Sequence, residues 1–590
     1  MCPPEKILNH FQSHFNPEDP STKSSPSELY SDLPEFIQHL RDTSKDSAIN
    51  NEPPDLEEIK KALSDMKSNK ASNDIDPGLL KHCEHPILLQ VIHRMTSKLW
   101  DDLDFAKAWG NSRLNTIWKK KGSKSDPSKY RGLSIGSTVC KLIINIILKR
   151  LRPWYETQLT DQQNGFRQNR GTTDGIYTLK RIQQITHKKK QPLFLLFVDL
   201  TAAFDHIPRK WLFQSVKLRF QPNDNIRLIE ILETLYNNTS LTYEEAGTTF
   251  KTTAGVRQGG PESPMLFNLY ADFVMRIFLE RCSNDDDIKF FKHKYRINQR
   301  TFLRDERLHM RQNGNRCWGE DTLSWSGYAD DLILFLLDSI GLQKAATLLN
   351  EVFAHFGLTI NNIKTETMVI NHSILDDALY SDSVITLQDV SLNNVKHFKY
   401  LGAVINYEEP NTGEAELNHR IQAANAKFAQ MSNLLQNHNI SLRTRIKFLN
   451  SFVRSRLIYS CQNWNLSNIQ YDRLDSCYRV FLRRMIRGGF RRFDQSADDY
   501  RYKVSNVNLH RLCGTSDLSI FIKEQQRSYA AHVIRMSVER VTKKLMFNDD
   551  KSVRPGRSAK TLLELVLDND NLTIESFCND AMQKKLQKST

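Results

Sequence analysis

Apolar positions along this 590-residue chain recur with two different periods. Leu56, Ile59, Leu63 and Met66 are spaced to line one face of a helix over 56–70. Asp55 before them, with Glu58 three residues later, has the form of a capping box with an aspartate cap. Val139–Leu151 reads as a buried helix, and 209–236 as a mixed, helical region. Leu417, Ile421, Ala424, Phe428, Met431 and Leu435 predict a helix over 414–435, with basic helices following to about Arg487. Two runs break the helical pattern: Leu193–Val198 (LFLLFV) and Leu332–Leu337 (LILFLL). Both are continuously apolar and too short for most helices. They predict central strands covered on both faces.

Polar stretches punctuate these elements. Residues 1–54 are rich in Ser, Pro, Asp and Asn, and Asn16–Pro26 reads as a loose linker. Lys119–Lys121, Lys124 and Arg131 mark a basic loop or hairpin. Residues 283–326 are strongly polar and read as a partly irregular surface insertion, and Arg554–Arg557 as a Gly/Pro break in a basic tail.

Composition narrows the function. With 39% hydrophobic and 25% charged residues the chain is globular, and its length predicts several packed units. Lysine and arginine total 82 against 68 acidic residues, a net charge of +14 that favours a polyanionic partner. The 9 cysteines are scattered without a CxxC pair, which argues against a disulfide framework or zinc knuckle. No signal-peptide core and no membrane-length apolar run is present. Together these predict a protein of the cytoplasm or nucleus, neither secreted nor membrane-bound.

Aspartates then stand at the ends of both predicted central strands. The first strand runs into Val198-Asp199-Leu200 and then Ala203-Phe204-Asp205; the second is preceded by Gly327-Tyr328-Ala329-Asp330-Asp331. A lone Asp-Asp pair is most often a turn or a solvated face. Carboxylates at the edge of a buried strand are costly unless a cation neutralises them. Two Mg²⁺ ions would do so, because Mg²⁺ takes hard oxygen ligands and a metal pair stabilises both oxygens of an in-line phosphoryl transfer.

These segments resemble the reverse transcriptases of non-LTR (LINE-type) retrotransposons, and among them the RTE group. Seven segments agree in order: Lys129-Tyr-Arg-Gly-Leu-Ser134, Asn164 to Asp174 (NGFRQNRGTTD), Phe197 to Asp205 (FVDLTAAFD), Gly255 to Tyr270 (GVRQGGPESPMLFNLY), Tyr328-Ala-Asp-Asp331, Gly357 to Glu366 (GLTINNIKTE) and Phe398-Lys-Tyr-Leu-Gly402. The resemblance covers about Leu56 to Arg487. It implies an α+β, right-hand polymerase: fingers over 109–190, a palm with an antiparallel sheet over 191–405, and a helical thumb over 406–490. A partly loose N-terminal extension (1–108) precedes them, and a basic, helical C-terminal region (491–590) follows.

The resemblance also implies roles. Asp199, Asp330 and Asp331 would bind two Mg²⁺ ions (Mn²⁺ a possible substitute), with the Leu200 carbonyl as an additional ligand. Lys364 would serve near the pyrophosphate leaving group. Gln258 and Gly259 would line the nucleotide pocket, and Phe204 would exclude a ribose 2′-hydroxyl. Arg131 and Lys121 or Lys124 would hold the triphosphate, with Arg167 behind them. Phe398, Tyr400, Leu401 and Gly402 would grip the primer. The implied partners are an RNA template, a DNA primer or nicked target DNA, and dNTPs. Two rival readings stand beside it: an RNA-dependent RNA polymerase or another enzyme of the same palm type, and a domesticated, non-catalytic RNA-binding or splicing scaffold that kept the fold.

Some features depart from the family. Gly132 stands where many LINEs have proline, and Ser72-Asn-Asp-Ile-Asp76 replaces the usual PGPDG. No segment before Leu56 is long enough for an apurinic-type endonuclease, which implies a separate or missing nicking activity. Other conspicuous residues have plainer readings. Lys188–Lys190 reads as an exposed turn and His532 as a structural hydrogen-bonder. Trp318 and Trp325 would stack on bases or pack locally. For Arg483, Arg484, Arg487, Arg491 and Arg492, nucleic-acid contact and a solvated face are equally good readings.

Overall fold

The computed structural model describes residues 2–17, 34–42, 49–82, 85–104, 109–296, 318–371, 384–407, 412–486, 491–494, 499–502, 504–537, 539–546 and 560–589. At its centre is a five-stranded sheet in the order 393–394, 366–370, 193–198, 331–336, 325–328. Leu193–Val198 lies in the middle, antiparallel to both neighbours, with Val198 opposite Leu332 and Phe197 opposite Glu366.

All six residues of that strand are buried, and their alternation explains the continuous apolar run. Phe194, Leu196 and Val198 join a large cluster with helices 138–158, 209–217, 227–237, 263–282 and 339–355. Leu193, Leu195 and Phe197 face the other way, onto Ile176, Leu179, Ile182 and Ile185 of helix 172–189 and Tyr400, Ala403 and Ile405 of a hairpin. A strand sandwiched between two layers has no polar face to show.

A second sheet carries 130–135, 111–118, 240–243 and 248–251. Against it packs a helix, Pro4–His14, in a part of the chain read from sequence as loose. Ile7, Phe11 and Phe15 sit with Leu114, Leu241, Tyr243 and Phe250 in one buried cluster. Their i, i+4, i+8 spacing was the legible signal. The expected linker at 16–26 lies largely outside the described residues. Asp55 does cap the next predicted helix, accepting from the Glu58 N–H at 2.8 Å, but that helix stops at Asp65. The segment replacing PGPDG has a local purpose: Asp74 accepts from the Thr138 N–H at 2.9 Å, at the start of helix 138–158.

The described ends of the insertion 283–326 are more regular than their polarity suggested. Residues 291–296 pair with 318–323, and 325–328 belongs to the central sheet. Trp325 is buried in the main core, so it does not offer a face to a base; nothing is described of the Trp318 side chain.

Helices 414–430, 442–448 and 468–485 form a second helical core, and Leu518 and Ile522 of helix 518–534 belong to it, so the packing runs straight across residue 490. The tail also reaches back to helix 172–189: the Tyr529 hydroxyl donates to Asp174 at 2.8 Å and Arg181 donates to the Leu545 carbonyl at 3.0 Å. Arg483 is buried, bonded to Asn506 at 2.6 Å, and so is not part of a basic surface. No helix among the described residues is long and apolar enough to cross a membrane.

Candidate active site

The register of the central strands sets the site. Val198 pairs with Leu332 and Tyr328 with Asp331, so Asp199 and Asp331 leave neighbouring strands at the same level. Between Tyr328 and Asp331 the chain turns through Ala329, whose φ of 60° is left-handed and strained for a residue with a Cβ. This tight turn brings Asp330 beside Asp331.

The turn is held from outside. Gln163 Oε1 accepts from the Ala329 N–H at 3.1 Å and the Gly165 N–H at 3.0 Å, and its Nε2 donates to the Ala329 carbonyl at 3.3 Å. The flanking backbone pairs as well, Asn164 N–H to the Gly327 carbonyl at 2.8 Å and Gly327 N–H to the Gln162 carbonyl at 2.9 Å. Gly165 presses so closely that a Cβ there would lie 2.4 Å from the Ala329 nitrogen. Sequence reasoning missed Gln163, which sits one residue before the NGFR segment.

Two of the three carboxyls are pushed up by their surroundings, and the third is paired with a lysine. Burial, then the charges of Asp330 and Asp199, pushes the Asp331 carboxyl up to about 6. Burial also raises Asp330, Asp199 adds to it, and Lys364 partly offsets the effect. Lys364 Nζ donates to Asp199 Oδ2 at 3.0 Å. It is delivered there by the turn 361–364, whose Asn361 N–H bonds the Asp199 carbonyl at 2.8 Å. Leu200 is buried where the strand ends, bridged to Ile360. Among the described residues no three His, Cys, Asp or Glu side chains close to metal-ligand spacing. Their donor chemistry, hard carboxylate oxygens with mutual repulsion, nonetheless suits a divalent cation of the Mg²⁺ type.

The segments around Phe204 and Gln258 are expected to line a nucleotide pocket, and both are held by neighbouring side chains. The Phe204 ring lies flat on Phe267, with centroids 4.0 Å apart and planes at 13°, and meets Phe166 edge-on at 6.3 Å. Gln258 Nε2 donates to both carboxylate oxygens of Asp205 at 2.8 Å. Gly259 has φ 106°, a conformation glycine tolerates. Behind them Arg257 bonds the fully buried Glu262 at 2.9 Å, and Arg209 bonds the Gly255 carbonyl at 3.0 Å.

Not every expected residue joins this pocket. Arg131 is exposed on strand 130–135. Its cationic neighbour is Lys119, whose ammonium is held below its usual range by burial and by Arg131, Lys129 and Lys364, against Asp205. Such crowding of positive groups suits a triphosphate, and it singles out Lys119 within the basic loop. Lys124 instead lies over the Trp118 ring at 5.0 Å, and Lys121 sits exposed in the turn. Arg167 is a correction: its guanidinium is buried and spent on Glu156 at 3.0 Å and on the Thr160 and Gln163 carbonyls, so it is not placed to meet a phosphate.

The 397–406 hairpin is seated rather than free. Phe398 stacks on Phe197 at 3.8 Å, Tyr400 is buried, and Leu401 and Gly402 form its turn with φ of 47° and 86°. Tyr459 donates to the Leu401 carbonyl at 2.7 Å, and Arg420 donates to the Gly402 carbonyl. Both anchors come from the helical domain, so the hairpin couples that domain to the carboxylate sheet.

Comparison with known proteins agrees with this geometry. Residues 118–405 match the family described as reverse transcriptase (RNA-dependent DNA polymerase). A relative named as the RNA-directed DNA polymerase from mobile element jockey of Drosophila melanogaster is 22% identical over 78% of this chain and 46% of its own length. A retrovirus-related Pol polyprotein from type-1 retrotransposable element R2 of Nasonia vitripennis is 23% identical over 51% of this chain and 26% of its own. A reverse transcriptase-like protein of Chlamydomonas reinhardtii is 30% identical over 23% of this chain and 34% of its own. The chain thus spans from about a quarter to about half of the length of these relatives. With its carboxylate-bearing sheet, whose central strand is antiparallel to both neighbours, the chain has the right-hand polymerase fold and is similar to the reverse transcriptases of non-LTR, LINE-type retrotransposons.

Proposed function

We propose that this chain copies RNA into DNA, joining a primer 3′-hydroxyl to the α-phosphate of a dNTP with release of pyrophosphate. The observation that carries this reading is the meeting of Asp199, Asp330 and Asp331 at the ends of two paired, fully sandwiched strands, with Lys364 beside them. Asp199, Asp330 and Asp331, with the Leu200 carbonyl, are the residues to hold Mg²⁺, or Mn²⁺ in its place. Bound there, the ions neutralise the charge that develops on the phosphoryl group.

The protein's own groups do the positioning. Lys119 and Arg131 receive the triphosphate. Lys364 stands ready to neutralise the departing pyrophosphate. Phe204, fixed by Phe267, walls off the sugar 2′ position, and Gln258 and Gly259 complete the pocket. The seated hairpin with Phe398, Tyr400, Leu401 and Gly402 steadies the primer end, and the basic helical domain after 412 tracks the duplex. We assign the chain to the RTE-like branch on the Lys129–Ser134 segment, with nicked target DNA as primer, a nicking activity supplied by another domain or protein, and action in a nuclear and cytoplasmic ribonucleoprotein.

Primer extension on poly(rA)–oligo(dT) with Mg²⁺ tests the substrate class. Incorporation of dTTP with little UTP is the expected result. Equal or preferred use of UTP would replace the reading with an RNA polymerase.

A further inference from the structure

The N-terminal helix Pro4–His14 ends at the pocket itself. His14 Nε2 lies 3.0 Å from Asp205 Oδ2, across 191 residues of sequence. A carboxylate oxygen already receiving the Gln258 amide accepts, so Nε2 carries the proton and donates. Asp205 is nearly sealed from solvent, its side chain 7% exposed. Its carboxylate therefore receives Gln258 Nε2 on both oxygens and His14 on one. With its NH₂ group held there, Gln258 must present its carbonyl oxygen elsewhere.

The helix does not need His14 to stay docked. Ile7, Phe11 and Phe15 anchor it in the apolar cluster, Asn16 donates to the Lys251 carbonyl at 3.0 Å, and the Thr253 N–H bonds the Phe15 carbonyl at 3.2 Å. The His14 ring is also fixed sideways, stacked on His10 at 5.5 Å and tilted against His206 at 4.9 Å. So a preset donor meets a buried carboxylate that orients a pocket residue.

We propose that His14 is a positioning residue for the deoxynucleotide pocket, acting through Asp205 on Gln258. The N-terminal helix is then part of the nucleotide site and not a loose extension. This inference rests on the polymerase reading above. Removing the His14 donor leaves the Asp205 carboxylate held by Gln258 alone, lets it rotate, and loosens Gln258 against the incoming nucleotide while leaving the proposed metal-binding aspartates untouched.

The test is steady-state extension on poly(rA)–oligo(dT) over a range of dTTP concentrations, for the full chain and for His14→Ala and His14→Gln. Gln at this position carries a donor at a reach similar to imidazole Nε2. The inference expects the dTTP KM of His14→Ala to rise about 5–10-fold with kcat within about 2-fold, and the KM of His14→Gln to return near that of the unaltered chain. The melting temperatures of the three proteins should agree. An unchanged KM in His14→Ala, or a loss of kcat and melting temperature that Gln does not rescue, would overturn it. Absence of extension by the unaltered chain is a separate outcome, which removes the polymerase reading itself.

Discussion

Single side chains fix the proposed sugar gate and hold the turn that carries Asp330 and Asp331. Phe204 stacks flat against Phe267, which restrains the ring proposed above as the sugar gate. Phe204→Ala should raise UTP use relative to dTTP by about 10-fold or more, measured as the ratio of kcat/KM values, because a steric gate discriminates by clash. Gln163 answers to the strain at Ala329. Removing it leaves the Ala329 N–H without its partner and costs about 1–3 kcal/mol at the turn that carries Asp330 and Asp331. Gln163→Ala should slow single-turnover extension about 10-fold or more, since small misplacements of reacting groups are costly. The placement of Asp199, Asp330 and Asp331 at the ends of paired buried strands was legible from the apolar runs beside them, whereas Lys364, which the structure sets against Asp199, was named only through the family resemblance. Gln163 was not legible, because a backbone clamp has no signature beyond a glutamine. Arg167 misled for the same reason: an arginine that bonds carbonyls from within looks, as letters, like one that awaits a phosphate.

Among the elements, the two central strands declared themselves through unbroken apolar runs. Strands 291–296 and 318–323 of the insertion did not, because they pair with each other and carry polar residues. The N-terminal helix was hidden by its polar surroundings, although Ile7, Phe11 and Phe15 hold a clear face. The junction between the 203–206 helical turn and the Gly255–Val256 segment makes a sharp prediction. Gly255 has φ 73°, and a Cβ there would stand 2.3 Å from the Asp205 carbonyl oxygen. Gly255→Ala should therefore lower stability by about 3 kcal/mol or more, seen as a depressed melting temperature or loss of soluble protein. A neutral substitution would mean that the two segments do not meet in this way.

At the scale of the whole molecule, the helical domain and the C-terminal helices are fastened onto helix 172–189 by partly charged contacts, which composition could not place. Lys180 is one of them: buried, with Nζ 3.4 Å from the Asn463 carbonyl. Burial holds its ammonium down to about 8 from an ordinary value of 10.5, Glu416 opposing. Between those two values the unfolded chain binds more protons than the folded one, so this residue's contribution to stability rises with pH from about 8 to 10.5. Below that window the charged form weighs against folding. Lys180→Met should raise the melting temperature at pH 7, by a stability gain on the order of 1–3 kcal/mol, and the gain over the unaltered chain should shrink above pH 10. A gain that is absent at pH 7, or that grows with pH, would contradict the burial argument.

The most direct test remains the carboxylate centre. Extension of oligo(dT) on poly(rA) with dTTP and Mg²⁺ should proceed with the unaltered chain and fall at least about 100-fold in Asp330→Asn, a near-isosteric change that removes one charge. Equal extension by both proteins would show that the activity lies elsewhere. No extension by either, with Mn²⁺ and a primed DNA template also tried and RNA binding retained, would contradict the polymerase and leave an RNA-binding scaffold.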